Sequence, residues 1–177
     1  MQLSDKLAKT IRDIPDYPAP GIVFKDITPV LANPPLVNEI VEALVGKYKN
    51  EKIDAIAGVE ARGFIFGSIL AHALGCRFIP VRKTGKLPFK TLSKAYALEY
   101  GKAAVEIHID AVQPSWRVLV HDDLLATGGT AGAAADLIKQ LGGELAGFSF
   151  LINLGFLPGE QNLIDNFGVK PHYLVKF

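Results

Sequence analysis

Residues 118–135 read VLVHDDLLATGGTAGAAA, and this stretch decides the fold. Val118, Leu119 and Val120 are a short aliphatic run, the composition of a buried strand. Two adjacent acids, Asp122 and Asp123, mark its end. The small residues Thr127, Gly128, Gly129 and Thr130 then make a turn, and residues 131–141 carry Ala, Leu and Ile at helical spacing until Gly142 and Gly143 stop the helix. A strand, a low-bulk turn and a helix in register form an anion cradle, because backbone N–H groups and two hydroxyls can close round a phosphate at the positive end of the helix. Asp122 and Asp123 cannot be phosphate ligands, since like charges repel. A sugar diol suits them: a hydrogen bond from a hydroxyl to a carboxylate is worth roughly 1.5–3 kcal/mol. Acids and turn together point to a ribose 5-phosphate. Taken alone, the acids could also be solvated loop residues or a helix cap, and TGGT a plain turn.

The same alternation recurs on the amino-terminal side. Residues 53–59 and 77–81 read as buried strands around an amphipathic stretch at 64–74, as 117–120 and 146–152 do around the helix at 131–141. Strand, helix, strand, twice, predicts an α/β fold with a parallel sheet covered on both faces and a ligand site at the carboxyl ends of its strands. Between the halves, residues 82–95 (RKTGKLPFKTLSKA) hold Arg82, Lys83, Lys86, Lys90 and Lys94 and no acid, and read as a mobile basic loop. Residues 96–109 alternate loosely about Tyr100-Gly101, which fits an antiparallel hairpin. The 11 prolines and 17 glycines are scattered and no repeat divides the chain, so one domain over residues 1–177 is expected.

Composition narrows the function classes. The chain has 177 residues, 49% of them apolar, enough for a sizeable core. Nineteen Lys and Arg against 18 Asp and Glu leave a net charge of +1, so there is no bulk positive field to hold nucleic acid. The longest nearly uncharged apolar stretch, residues 146–157, is well below the roughly 20 residues of a membrane span. Residues 1–14 interleave charge with apolar residues and lack the continuous centre of a secretory signal. One cysteine, Cys76, excludes an internal disulfide and agrees with a cytoplasmic location. No GxxxxGK[ST] or GxGxxG occurs, which sets aside Walker-type and NAD-type sites. The four histidines, His72, His108, His121 and His172, show no metal-ligand spacing, and His121 reads as packing behind the acids.

The string DDLLATGGT resembles the phosphoribosyl pyrophosphate (PRPP) fingerprint of the type I phosphoribosyltransferases, in the form carried by their adenine-specific family. The resemblance implies that Asp122 and Asp123 bind the ribose hydroxyls and that Leu125, Ala126, Thr127, Gly128, Gly129 and Thr130 enclose the 5-phosphate. It implies the family fold, a mainly parallel central sheet flanked by helices, with a small base-binding hood from residues 1–34 and a flexible loop and hairpin.

Three further stretches carry the same resemblance. In PDYPAPGIVFKDITPVL, residues 15–31, the prolines and Gly21 make an extended entry segment whose Ile22, Val23 and Phe24 fit either a core strap or a sandwich for a flat base. By resemblance Val23, Phe24, Lys25 and Leu154 are adenine-binding, with Lys25 standing where many members carry Arg and Asn153 where they often carry an acid. In GVEARGF, residues 58–64, a glycine after a strand and an Arg-Gly opening a helix form a second anion cradle, although Glu60 and Arg62 could be an ordinary surface pair. The family places its pyrophosphate loop here, at Glu60, Ala61 and Arg62, with a non-proline cis peptide at Glu60–Ala61. Arg82, Lys83 and Lys86 offer cations to the same polyanion, while Lys90 and Lys94 read as solvated charge. In YALEYG, Glu99 takes the family's catalytic position and Tyr100 supports it. The implied partners are adenine, PRPP, Mg²⁺ held through substrate oxygens, and a second copy of the chain in a homodimer. The implied reaction makes AMP and pyrophosphate. A phosphoribosyltransferase for hypoxanthine, xanthine or orotate shares most of these features, and a non-catalytic PRPP-sensing regulator is the alternative of another class.

Overall fold

The computed structural model describes residues 1–98 and 101–177. In chain order the elements are α1 (Leu3–Thr10), β1 (Arg12–Pro15), β2 (Val23–Asp26), α2 (Thr28–Leu31), α3 (Pro34–Tyr48), β3 (Ala55–Val59), α4 (Gly63–Leu74), β4 (Arg77–Lys83), β5 (Thr91–Leu98), β6 (Gly101–His108), β7 (Arg117–His121), β8 (Leu124–Leu125), α5 (Gly129–Gln140), β9 (Glu144–Asn153), α6 (Gly159–Phe167) and β10 (His172–Lys176). The main sheet has the order β10-β9-β7-β3-β4-β6-β5, with β8 alongside β9. Strands β10, β9, β7, β3 and β4 run parallel, and β6 and β5 extend the sheet antiparallel. Both expected strand–helix–strand units are present, and they lead away from each other: β3 is followed through α4 by β4 on one side, β7 through α5 by β9 on the other. The order therefore reverses between β3 and β7, and a crevice opens beyond their carboxyl ends.

Alternation along the strands divides the core between the two faces. Val118 and Val120 of β7, Ala57 of β3 and Phe148 of β9 face α5, whereas Leu119 and Ile56 face α3 and α4. The anchors on that second face include Phe66 and Leu70 of α4 and Ile40 and Leu44 of α3, all essentially inaccessible; each such side chain stabilises the fold by about 1.5–3 kcal/mol. Helix α3 begins where the Asn33 side chain accepts from the Leu36 N–H, with Pro34 in its first turn. Among the described residues no helix is long and apolar enough to cross a membrane.

Several boundaries differ from the sequence reading. The strand expected from residue 53 begins at Ala55, and Asp54 stands just before it, where its carboxylate accepts from the Arg117 N–H at 2.8 Å. The basic loop expected over residues 82–95 is shorter. Strand β4 continues to Lys83 and β5 begins at Thr91, since Thr91, Leu92, Ser93, Lys94 and Ala95 find ladder partners on β6. Lys94 is paired rather than solvated, with its Nζ 3.0 Å from Asp136 on α5. The entry segment is not extended throughout: β1 and β2 make a separate two-stranded sheet, and Thr28–Leu31 turns into α2.

Candidate active site

A cavity of about 280 Å³ opens at the carboxyl ends of β3 and β7, the crevice where the strand order reverses. Its wall combines the two cradles, with Glu60, Ala61 and Arg62 on one side and residues 122–131 on the other, over the ring of Phe150. Asp122 follows β7 directly, and its N–H donates to the Ser149 carbonyl on β9. Gly63 opens α4 so close to this corner that a Cβ there would lie 2.9 Å from Asp122 Oδ1 and 2.9 Å from the His121 carbonyl. Only glycine permits the approach.

The phosphate-type turn is built as its small residues suggest. Gly128 sits at φ +82° as the residue before α5, and no side chain caps the helix, so the N–H groups of its first turn are left for a ligand or water. A Cβ on Gly129 would meet the Tyr96 ring at 3.0 Å, which shows how tightly the β5–β6 hairpin seats on this turn. From the outer side, Asn162 of α6 donates to the Thr127 carbonyl at 2.9 Å.

The carboxylates are held in unlike surroundings. Asp123 is buried, and Asp122 accepts from the Asp123 N–H at 2.8 Å. Burial first, then the charge of Asp123, push the Asp122 carboxyl well above the usual carboxylate range. Burial also raises Asp123, against the pull of the Arg62 guanidinium. Arg62 Nε is 2.9 Å from Asp123 Oδ2, yet its N–H does not point at that oxygen, which is left buried without a hydrogen-bond donor. Both acids line the cavity, where a carboxylate oxygen can accept from a hydroxyl.

Arg62 reaches further than its place in the second cradle implies. Its Nη1 donates to the Lys25 carbonyl at 3.0 Å and its guanidinium lies 4.7 Å over the Phe24 ring, so one side chain joins β2 to the end of β7. It is not paired with Glu60. Glu60 instead takes Arg82 in a two-point contact of 2.7 and 3.2 Å and accepts from the Lys83 N–H at 3.0 Å. The Arg82 hydrogen bond is the main reason that the Glu60 carboxyl is held below its usual range. The peptide between Glu60 and Ala61 is cis.

The other expected residues that the structure describes do not line the cavity. Val23 and Ile22 are half exposed, Phe24 is covered by Arg62 and Tyr17, and Leu154 is buried, so the apolar triplet is no core strap. The Lys25 ammonium is turned to Asp13 at 2.6 Å and to the Phe177 ring at 3.9 Å, leaving its backbone toward Arg62. Lys83 and Lys86 are exposed, at the start of and within the strap of residues 84–90. Glu99 and Tyr100 lie outside the described residues. The sequence reading missed Phe150, Leu124 and Ala131 in the cavity wall, whereas it placed Gly63 at the helix start beside the second cradle. Phe150 is one apolar residue in a long apolar strand, so no local signal marks it; Gly63 is visible in the sequence as a glycine opening a helix beside a cradle.

A family model described as "Phosphoribosyl transferase domain" matches residues 26–155. An adenine phosphoribosyltransferase of Anaeromyxobacter dehalogenans is 55% identical over 175 residues, which span 99% of this chain and 100% of that protein. This chain belongs to the adenine phosphoribosyltransferase family. Solved members of the family agree in shape as well as sequence. The Rhodothermus marinus enzyme superposes with a TM-score of 0.93 at 47% identity, covering 99% of this chain and 98% of that one. The Saccharomyces cerevisiae enzyme, solved with D-2,5-dideoxy-2,5-imino-altritol 1,6-bisphosphate and adenine, has a TM-score of 0.88 at 37% identity and covers 97% and 98%.

Proposed function

We propose that the protein transfers the 5-phosphoribosyl group of PRPP to adenine, giving AMP and pyrophosphate in purine salvage. The observation that carries the reading is the meeting, around one cavity, of the Asp122–Asp123 corner, the uncapped turn before α5 and the Arg62 cradle, in a chain akin to adenine phosphoribosyltransferases over nearly its whole length. Asp122 and Asp123 take the ribose hydroxyls. Leu125, Ala126, Thr127, Gly128, Gly129 and Thr130 enclose the 5-phosphate. The pyrophosphate lies toward Glu60, Ala61 and Arg62, with Arg82, Lys83 and Lys86 at its outer side. Adenine stacks under the hood near Val23, Phe24, Lys25 and Leu154. That the yeast relative was solved with an imino-altritol bisphosphate and adenine together supports such adjacent subsites.

In the reaction the anomeric carbon's bond to the pyrophosphate oxygen breaks, its electrons leaving with pyrophosphate, while adenine N9 bonds to that carbon from the opposite side. The N9 proton passes to the carboxylate we assign to Glu99, with Tyr100 in support, a contribution of order 10²–10⁴ in rate for a positioned base. Positive charge from Arg62, Arg82 and the strap lysines stabilises the departing anion. The donor set suits a hard, oxygen-seeking cation. The cavity carries carboxylates of Glu60, Asp122 and Asp123, yet among the described residues no three metal-ligating side chains gather closely enough to cage an ion. Mg²⁺ would therefore be held chiefly through substrate oxygens, near Asp122 and Asp123, where it would neutralise charge on pyrophosphate. The family resemblance supports a homodimer, and the unpaired thiol of Cys76 supports a reducing cytoplasm.

The test follows labelled adenine into AMP with PRPP and Mg²⁺, with hypoxanthine, xanthine and orotate as competitors. Adenine is expected to be consumed and the others ignored; a preferred rival base, or no AMP, overturns the reading. Glu99→Gln should lower turnover by about 10²-fold or more while PRPP binding holds.

A further inference from the structure

Glu106 is one of two carboxylate residues buried in the protein among the described residues, and it lies outside the cavity. It stands on β6 opposite Arg82 of β4 and Ser93 of β5, at the root of the strap formed by residues 84–90. A buried carboxylate is unfavourable unless hydrogen bonds replace its water. Here the replacement comes from the strap's main chain. Glu106 Oε1 accepts from the Lys86 N–H at 3.0 Å and from the Leu87 N–H at 2.9 Å. Burial raises the pKa of this acid, but the N–H groups of Leu87, Gly85 and Lys86 and the Thr91 hydroxyl outweigh it and hold the group ionised.

What the clamp holds leads back to the site. The carbonyl of Lys86 accepts from Arg82 Nη1 at 2.9 Å, and the same guanidinium makes the two-point contact with Glu60 in the cradle. Glu106, the Lys86 main chain, Arg82 and Glu60 are thus linked in series. Were burial alone the need, an apolar residue would serve this position at least as well.

We propose that Glu106 is a positioning residue for the pyrophosphate half of the site: by clamping the main chain at Lys86 and Leu87 it sets where Arg82, Lys83 and Lys86 present their charge. The inference rests on reading the Glu60–Arg62 cradle as the pyrophosphate side. It requires reach rather than charge, and it concerns ligands that carry pyrophosphate, not AMP.

The experiment compares Glu106→Asp, which keeps the charge but falls one methylene short of the strap, with Glu106→Gln, which loses the charge but keeps an acceptor in reach. KM for PRPP and the inhibition constant of pyrophosphate are measured beside calorimetric binding of AMP. In Glu106→Asp the first two should rise about tenfold or more while AMP binding and KM for adenine stay within about twofold. Glu106→Gln should lie closer to wild type than Glu106→Asp. Thr91→Val, which withdraws one donor without emptying buried space, should raise KM for PRPP about threefold and takes the place of Glu106→Asp if that variant does not fold. Unchanged PRPP constants, AMP weakened as much as PRPP, or Gln worse than Asp would overturn the role. Wild-type protein that forms no AMP overturns the proposed function instead, so the two failures are distinct.

Discussion

His121 shows how a single side chain next to the reacting corner can set the acid stability of the protein. It is fully buried between β7 and its neighbours, with Nδ1 3.1 Å from Ser149 Oγ and Nε2 without a partner. Burial pushes its pKa down to about 4. The unfolded chain, with an ordinary histidine near 6.5, takes a proton between pH 6.5 and 4 that the native state refuses, so stability is complete above that window and falls as pH drops through it. The loss amounts to about 2 kcal/mol at pH 5 and about 3 kcal/mol at pH 4. The raised Asp122 and Asp123 work with the opposite sign, their native forms holding protons the unfolded chain has released. Because those acids remain in a His121→Leu variant, the difference between the two proteins isolates the histidine. Urea unfolding at pH 7 and pH 5 should show wild type losing about 2 kcal/mol more than His121→Leu. Equal losses would show that His121 is protonated in the native state.

At the scale of elements, the site depends on how closely α4 can approach the end of β7. A methyl group added at Gly63 cannot be accommodated by moving a flexible side-chain tip alone, because one of the atoms it would meet at 2.9 Å is the His121 carbonyl. Gly63→Ala should shift the Asp122 corner by several tenths of an ångström and raise KM for PRPP by about tenfold or more. Gly46→Ala provides the control: that glycine lies within α3 with nothing near its missing Cβ, and the change should stabilise by about 0.5–1 kcal/mol with kinetics unaltered. If Gly63→Ala also leaves PRPP kinetics unaltered, the close approach carries no function. The contrast also explains what is legible in the sequence. DDLLATGGT and GVEARGF can be read because strand end, turn and helix start are neighbours in the chain, and their chemistry follows from local order. The partners of Arg62, the clamp of Glu106 and the floor at Phe150 come from residues far away in the chain. The basic strap reads too long for a related reason: Thr91, Ser93 and Lys94 give the segment the polarity of a loop, and only pairing with β6 makes it a strand.

For the whole molecule, the question is what joins the amino-terminal hairpin to the central sheet. The β1–β2 sheet is separate from the main one and is tied to the chain's last residue by Lys25, which meets Asp13 and the Phe177 ring. Its link to the reacting corner is Arg62, which holds the Lys25 carbonyl, the Phe24 face and Asp123 at once. Were Arg62 only a pyrophosphate contact, its removal would weaken PRPP and pyrophosphate and leave adenine alone. A joint between the hairpin and the sheet behaves differently, because losing it frees the surface on which the proposed function stacks the base. Arg62→Ala should therefore raise KM for adenine as well as for PRPP, each by about tenfold or more. Arg62→Lys should rescue little, since a point charge on a flexible stem cannot replace a planar fork that donates to a carbonyl and faces a carboxylate while lying on a ring. Steady-state kinetics with each substrate varied in turn decide the matter. An adenine KM that stays at the wild-type value in both variants would confine Arg62 to the phosphate side and leave the hood to be held by Lys25 and its neighbours.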